Sequence, residues 1–120
     1  MATWNLSETR HHLLICNGGS CMKQGAEEVT DAIREVIRTS GNDACIHTTR
    51  TRCNGRCQDA CVVILYPEGT WFHGITPESG RELIRRHVLQ NRPLSDRISH
   101  RHDGDVFFPM PDIPVGTTKT

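Results

Sequence analysis

The six cysteines of this chain stand at positions 16, 21, 45, 53, 57 and 61, and their spacing constrains it more than any other feature. Cys16 and Cys21 form a C-x4-C pair, Cys53 and Cys57 form a C-x3-C pair, and Cys61 follows four residues on. No C-x2-C occurs, which removes the dithiol motif of redox-active thioredoxins and the commonest zinc-knuckle spacing. The bacterial cluster run C-x2-C-x2-C-x3-C is absent. The plant-type run C-x4-C-x2-C fails because Gln24 stands where its third cysteine belongs. Met1-Ala-Thr-Trp4 has neither a basic start nor an apolar stretch, so no export signal is expected and a cytoplasmic location is. In that setting the cysteines indicate metal or redox chemistry rather than disulfides.

Around the cysteines the hydrophobic pattern predicts an α/β chain. His11 to Cys16 reads as a short buried strand that ends in the loop Asn17-Gly18-Gly19-Ser20. Ala26, Val29, Ile33, Val36 and Ile37 recur at helical period, with most of the charge on the other face and Gly41 as the stop. Cys45 to Thr51 is rich in β-branched residues and reads as a strand, and Cys53 to Cys61 as a loop. Val62 to Tyr66 and Trp71 to His73 flank a turn at residues 67–70 and predict a β-hairpin. Thr76-Pro77-Glu78 predicts an N-cap with proline at the first helical position. The second helix then runs to about Gln90, with Leu83, Ile84, His87 and Val88 on one face. The order β-α-β-β-β-α predicts a thioredoxin-like small mixed β-sheet with two main helices. Residues 1–92 form the expected domain. Residues 93–120, with four of the six prolines, are expected to be an extended tail with one apolar segment at Val106 to Met110.

Composition narrows the function. The chain has 120 residues, enough for one domain. Fourteen basic and 14 acidic residues cancel, which argues against nucleic-acid binding through bulk charge. The apolar run that takes in Cys61 to Tyr66 is far too short to span a membrane. Apolar residues are only 36%, so a staple such as a metal would help the fold. No nucleophilic serine motif, phosphate loop or paired-carboxylate signature is present, and the expected protein is not an enzyme.

The two cysteine pairs each follow an expected strand and each enclose glycine. Soft thiolates suit iron–sulfur clusters and zinc, and glycine lets backbone N–H groups approach cluster sulfurs. The start of the first helix, just past Cys21, together with Arg52 and Arg56, is expected to offset the negative charge of such a group. Spacing alone leaves three readings open: a four-cysteine [2Fe-2S] cluster, a zinc-stapled binding module, or a thiol-based redox protein using Cys57 and Cys61.

A resemblance adds to this. The string from Arg52 through Cys53-Asn-Gly-Arg-Cys57, the apolar run to Tyr66, Pro67-Glu-Gly69, Trp71-Phe-His-Gly74 and Thr76-Pro77-Glu78 resembles the thioredoxin-like [2Fe-2S] ferredoxins. His11-His-Leu-Leu-Ile-Cys16-Asn-Gly-Gly-Ser-Cys21 is similar to that family's first strand and C-x4-C loop. The same module is similar to the small cluster-bearing subunit of NADH dehydrogenases. The resemblance covers about residues 11–90. It implies a [2Fe-2S] cofactor held by Cys16, Cys21, Cys53 and Cys57, a one-electron carrier, and redox proteins as partners. The family includes dimers, so the resemblance allows a homodimer. The small one-domain form is similar to members that accompany anaerobic cobalamin synthesis. Family members usually have proline where Cys61 stands. Cys61 is therefore an extra thiol, read here as a small buried filler rather than an alternative ligand, and Cys45 is read as core.

The histidines are weaker candidates. His100, His102 and Asp103 lie close in sequence but read as surface chemistry rather than a metal site. His87, on the apolar face of the second helix, reads as a hydrogen-bonded core residue. Trp71 and Phe72 read as hairpin core.

Overall fold

The computed structural model describes residues 3–119. The chain runs β1 (His11–Cys16), α1 (Gly19–Lys23), α2 (Ala26–Thr39), β2 (Ile46–Thr51), β3 (Val63–Tyr66), β4 (Thr70–Phe72), α3 (Pro77–Glu82), β5 (Ile98–His102) and β6 (Phe107–Pro109). The strands form one sheet in the order β2-β1-β3-β4-β5-β6. β1 and β2 are parallel, and every other pairing is antiparallel. Such a parallel pair needs a crossover, and α2 supplies it. Leu13 and Ile15 of β1 are fully buried, and so are Val63 and Leu65 of β3. Their period of two turns one face of the sheet to the core.

The helices follow their sequence signals. Every apolar residue of the expected α2 stripe is buried: Ala26, Val29, Ile33, Val36 and Ile37. Gly41 closes the helix at φ +75° and donates its N–H to Arg38 O, while Asn42 N–H reaches Ile37 O. That left-handed position is open to glycine at little cost. α3 opens with a capping box. Thr76 Oγ1 accepts from Ser79 N–H, and Ser79 Oγ accepts from Thr76 N–H. The helix continues through Leu83–Val88 in π-helical form. α2 and α3 pack together at Gly80, where a Cβ would come within 3.1 Å of Ile33.

His87 is buried and fully used. Its Nδ1 accepts the Leu94 N–H at 3.2 Å, so Nε2 carries the proton and donates to Glu68 Oε1 at 2.6 Å. The pair ties the β3–β4 turn to the chain leaving α3. The His87 hydrogen bond leads the effects on Glu68 and, with Thr70, outweighs burial and holds its carboxyl below the ordinary 4.5.

Residues 93–110 depart from the expected tail. Leu94 and Ile98 are buried in the core, β5 pairs with β4, and β6 pairs with β5. The signal was hidden because β5 reads Ile-Ser-His-Arg-His. It has one aliphatic side chain, with hydroxyl and imidazole groups in place of the rest of an apolar alternation. Beyond β6 the described chain has no helix or strand.

Two outcomes follow from this packing. Ile98→Ala should lower the unfolding free energy by about 2–4 kcal/mol in denaturant titration. Val115→Ala, at a position 77% exposed, should change it by less than about 0.5 kcal/mol. The second outcome concerns acid. A carboxyl depressed in the folded state stabilises fully above its unfolded pKa, and that stability is lost as pH falls through the folded value. Glu68→Gln should therefore flatten the acid limb of a stability–pH curve below about pH 4.5.

Candidate metal centre

Both cysteine pairs leave the sheet at one edge. The register pairs Cys16 with Thr51, so the C-terminal ends of β1 and β2 lie side by side and their loops start together. Asn17 N–H extends this pairing to Thr51 O at 2.8 Å. The loops then touch at Gly18. A Cβ on Gly18 would lie 2.7 Å from Cys53 Cα and 2.8 Å from Cys53 N, so no other residue fits there without moving backbone. The expected loop after β1 is partly helical, because Gly19 opens α1, which carries Cys21 in its middle.

In the second loop Gly55 takes φ +81° and aims its N–H at Cys53 Sγ, 3.3 Å away. Asn54 is braced by its side chain against Thr51 Oγ1 at 2.7 Å. Cys53 and Cys57 bring their sulfurs to 3.6 Å. Two thiolates on one tetrahedral metal, each about 2.3 Å from it, stand about 3.8 Å apart. Among the described residues, no three His, Cys, Asp or Glu side chains gather where they could hold a single metal ion. The sulfurs come as two pairs, which suits two metals with two thiolates each better than one four-sulfur zinc site.

The pairs differ in environment. Cys16 and Cys21 are 3% exposed, whereas Cys53 and Cys57 are exposed. Burial works to raise the Cys16 thiol. Hydrogen bonds from the Gly18 backbone, the Cys21 thiol and both the backbone and side chain of Asn54 outweigh it and hold the thiol below its ordinary value. Burial pushes Cys21 up to about 12; Cys16 and Cys61 nearby add to this, against a hydrogen bond from the Val62 backbone. Polar backbone around the sulfurs, with Gly55 N–H 3.3 Å from Cys53 Sγ, gives the surroundings an anionic thiolate cluster needs. The residues present therefore fit a [2Fe-2S] group.

A family model for the thioredoxin-like [2Fe-2S] ferredoxins matches residues 5–87. The chain belongs to this family. It is 44% identical over 107 residues to a putative 2Fe-2S ferredoxin of Priestia megaterium, with 89% of this chain and 84% of the relative covered. It is 28% identical over 82 residues to an NADH-quinone oxidoreductase subunit from Rhizobium meliloti, covering 65% of this chain and 29% of that one. The thioredoxin-like [2Fe-2S] ferredoxin of Aquifex aeolicus superposes with a TM-score of 0.73 at 26% identity, covering 78% of this chain and 93% of that one. The cofactor of this ferredoxin family is a [2Fe-2S] cluster, and the fold is thioredoxin-like as expected.

Several expectations about the ferredoxin's surroundings need correction. Arg56 is not a free cation beside the site. Its Nε donates to the buried Asp59 carboxylate at 2.7 Å, Nη1 donates to Val115 O at 3.2 Å, and Nη2 donates to Pro114 O. Asp59 balances its charge, and Arg52 remains exposed. Cys61 is buried, but its thiol is directed at the Cys21 and Gln24 carbonyls, not paired with Cys57 as a dithiol reading needs. Cys45 is only partly buried, against the core. Phe72 is fully buried and Trp71 half-buried. His100 packs on Trp71 and His102 on Phe107. Sequence reasoning missed Asn54, Asp59 and Val62. Only the place of Asn54 between two ligand candidates could have flagged it.

Gly18→Ala should drive the two loops apart. Iron and acid-labile sulfide per purified chain should fall below about half of wild type, while circular dichroism still shows a folded sheet. Full iron content in this variant would refute the close contact.

Proposed function

We propose that this ferredoxin is a cytoplasmic one-electron carrier in which Cys16, Cys21, Cys53 and Cys57 hold the cluster, and whose partners are redox proteins met at the Cys53–Cys57 loop. One observation carries the reading: a buried cysteine pair and an exposed pair lie on two loops pressed together at Gly18 and Cys53. When bound, the cluster takes up and gives back one electron. The chain's own residues do the rest. Cys16 and Cys21 keep one end away from water. Gly55 N–H, 3.3 Å from Cys53 Sγ, places a positive dipole end where negative charge grows. Cys53 and Cys57 give a partner its shortest approach. Six free thiols suit a reducing compartment.

Iron and sulfide assays test the cofactor: about two iron and two sulfide per chain are expected, with visible absorption. Stoichiometric zinc without sulfide would overturn the reading in favour of a zinc-stapled module. Serine at 16, 21, 53 or 57 should abolish or bleach the cluster, because a hard alkoxide of high pKa replaces a soft thiolate. Serine at 45 should leave it in place.

A place in corrin synthesis is a finer reading that rests on the family resemblance alone. Deleting the gene in its host should then create a requirement for added cobalamin, relieved by wild type and not by Cys53→Ser. Growth without cobalamin would reject that pathway.

Encounter with an acidic partner should depend on Arg52. Its guanidinium is exposed, whereas that of Arg56 is compensated by Asp59. Under limiting partner concentration, Arg52→Gln should lower the transfer rate and flatten its fall with rising salt. A wild-type rate that ignores salt would discard steering.

A further inference from the structure

The hydrogen bonds of Cys61 are more than a small filler needs. Its side chain is 1% exposed, and Sγ lies 3.4 Å from both Cys21 O and Gln24 O. These carbonyls sit at the C-terminal end of α1: Cys21 O also accepts the Gln24 N–H at 3.0 Å, and Gln24 O lies past the last turn, where a helix runs out of its own donors. The Cys61-Val62 pair is itself fixed. Cys61 O accepts the Ile75 N–H at 3.1 Å, and Val62 O accepts the Cys16 N–H at 3.0 Å. One dipeptide thus holds the backbone of Cys16, through Val62 O, and the carbonyl of Cys21, through the Cys61 thiol.

We infer that Cys61 is a positioning residue for Cys21, holding the Cys21 carbonyl at the end of α1 and so fixing where the Cys21 sulfur lies, which sets the reduction potential. The inference rests on the reading of Cys21 as a ligand. A thiol is a weak donor, but no water reaches this one to compete. Reduction adds negative charge to the ligand sulfurs, so the potential depends on where each sulfur lies among the dipoles around it. If the Cys21 carbonyl drifts, the sulfur moves with it and the potential shifts.

The test uses the full-length protein, purified anaerobically as wild type, Cys61→Ala, Cys61→Ser and Cys21→Ser. Iron and sulfide are assayed, and the reduction potential and the electron paramagnetic resonance of the reduced state are measured. Cys61→Ala should keep its iron, move the resonance, and shift the oxidised-to-reduced ratio at fixed potential by about threefold. That ratio is about 30 mV for one electron. Cys61→Ser keeps a donor and should return most of the way to wild type. If alanine prevents assembly, a serine variant with full iron and a near wild-type potential supports the same role. An alanine variant with wild-type potential and resonance overturns the proposal, even if it melts earlier, because filler alone then explains Cys61. So does an equal shift in both variants. Loss of iron in both Cys61 variants, with Cys21→Ser still loaded, would make Cys61 a ligand. That result overturns the assignment of Cys21 itself, and iron content tells it apart from the failure of positioning alone.

Discussion

The parallel pairing of β1 with β2 decides where a metal centre can form. With Cys16 opposite Thr51, the two strands end level and send both cysteine loops off the same edge. A slip of one residue would turn every side chain of a strand to the other face. Leu13 and Ile15 would then leave the core. The apolar pattern of β1 therefore fixes the register, and the register fixes the relation between loops more than 30 residues apart in sequence. Gly18 completes the arrangement. Its missing Cβ is the space in which the backbone of Cys53 lies.

Charge is handled asymmetrically at this edge. Dipoles rather than cations act on the buried pair: the hydrogen-bonding groups of Gly18 and Asn54 hold the Cys16 thiol down, and that of Val62 works against burial at Cys21. The one cation inside the second loop, Arg56, comes with its own counter-ion, Asp59. A buried arginine without that carboxylate would carry a heavy desolvation cost. The pair thus shapes the C-x3-C loop and contributes little net field. Long-range attraction of a partner falls to exposed residues such as Arg52.

Much of this was legible in the sequence. The α2 stripe, the N-cap at Thr76, the hairpin and the buried role of His87 follow from periodicity and from proline and glycine punctuation. The grouping of the cysteines into two pairs follows from spacing, although spacing alone left iron and zinc both open. What stayed hidden was non-local. β5 is held by backbone pairing and by Ile98 alone among aliphatic side chains, so no alternation announces it. Arg56 looked like a free charge because its partners include carbonyls 58 and 59 residues away. Cys61 looked like filler because a thiol's acceptors leave no trace in a pattern of apolar residues.

The same non-local contacts explain why the C-terminal region belongs to the architecture of the site without supplying a ligand. β5 and β6 widen the sheet beside β4, and Met110 packs against the core. The chain then returns to the second cysteine loop, where the Arg56 guanidinium holds the carbonyls of Pro114 and Val115. These bonds are charge-assisted and directional, and the other side of the guanidinium is held by a buried carboxylate. Removing residues 111–120 therefore takes two acceptors from Arg56 but leaves Asp59 in place. The protein should keep its cluster, and the Cys53–Cys57 loop should gain mobility at Arg56. A truncation after Met110 should bleach faster in the presence of an iron chelator than the full chain, with the same iron content at the start. Equal bleaching rates would show that the strap adds nothing to the loop it touches.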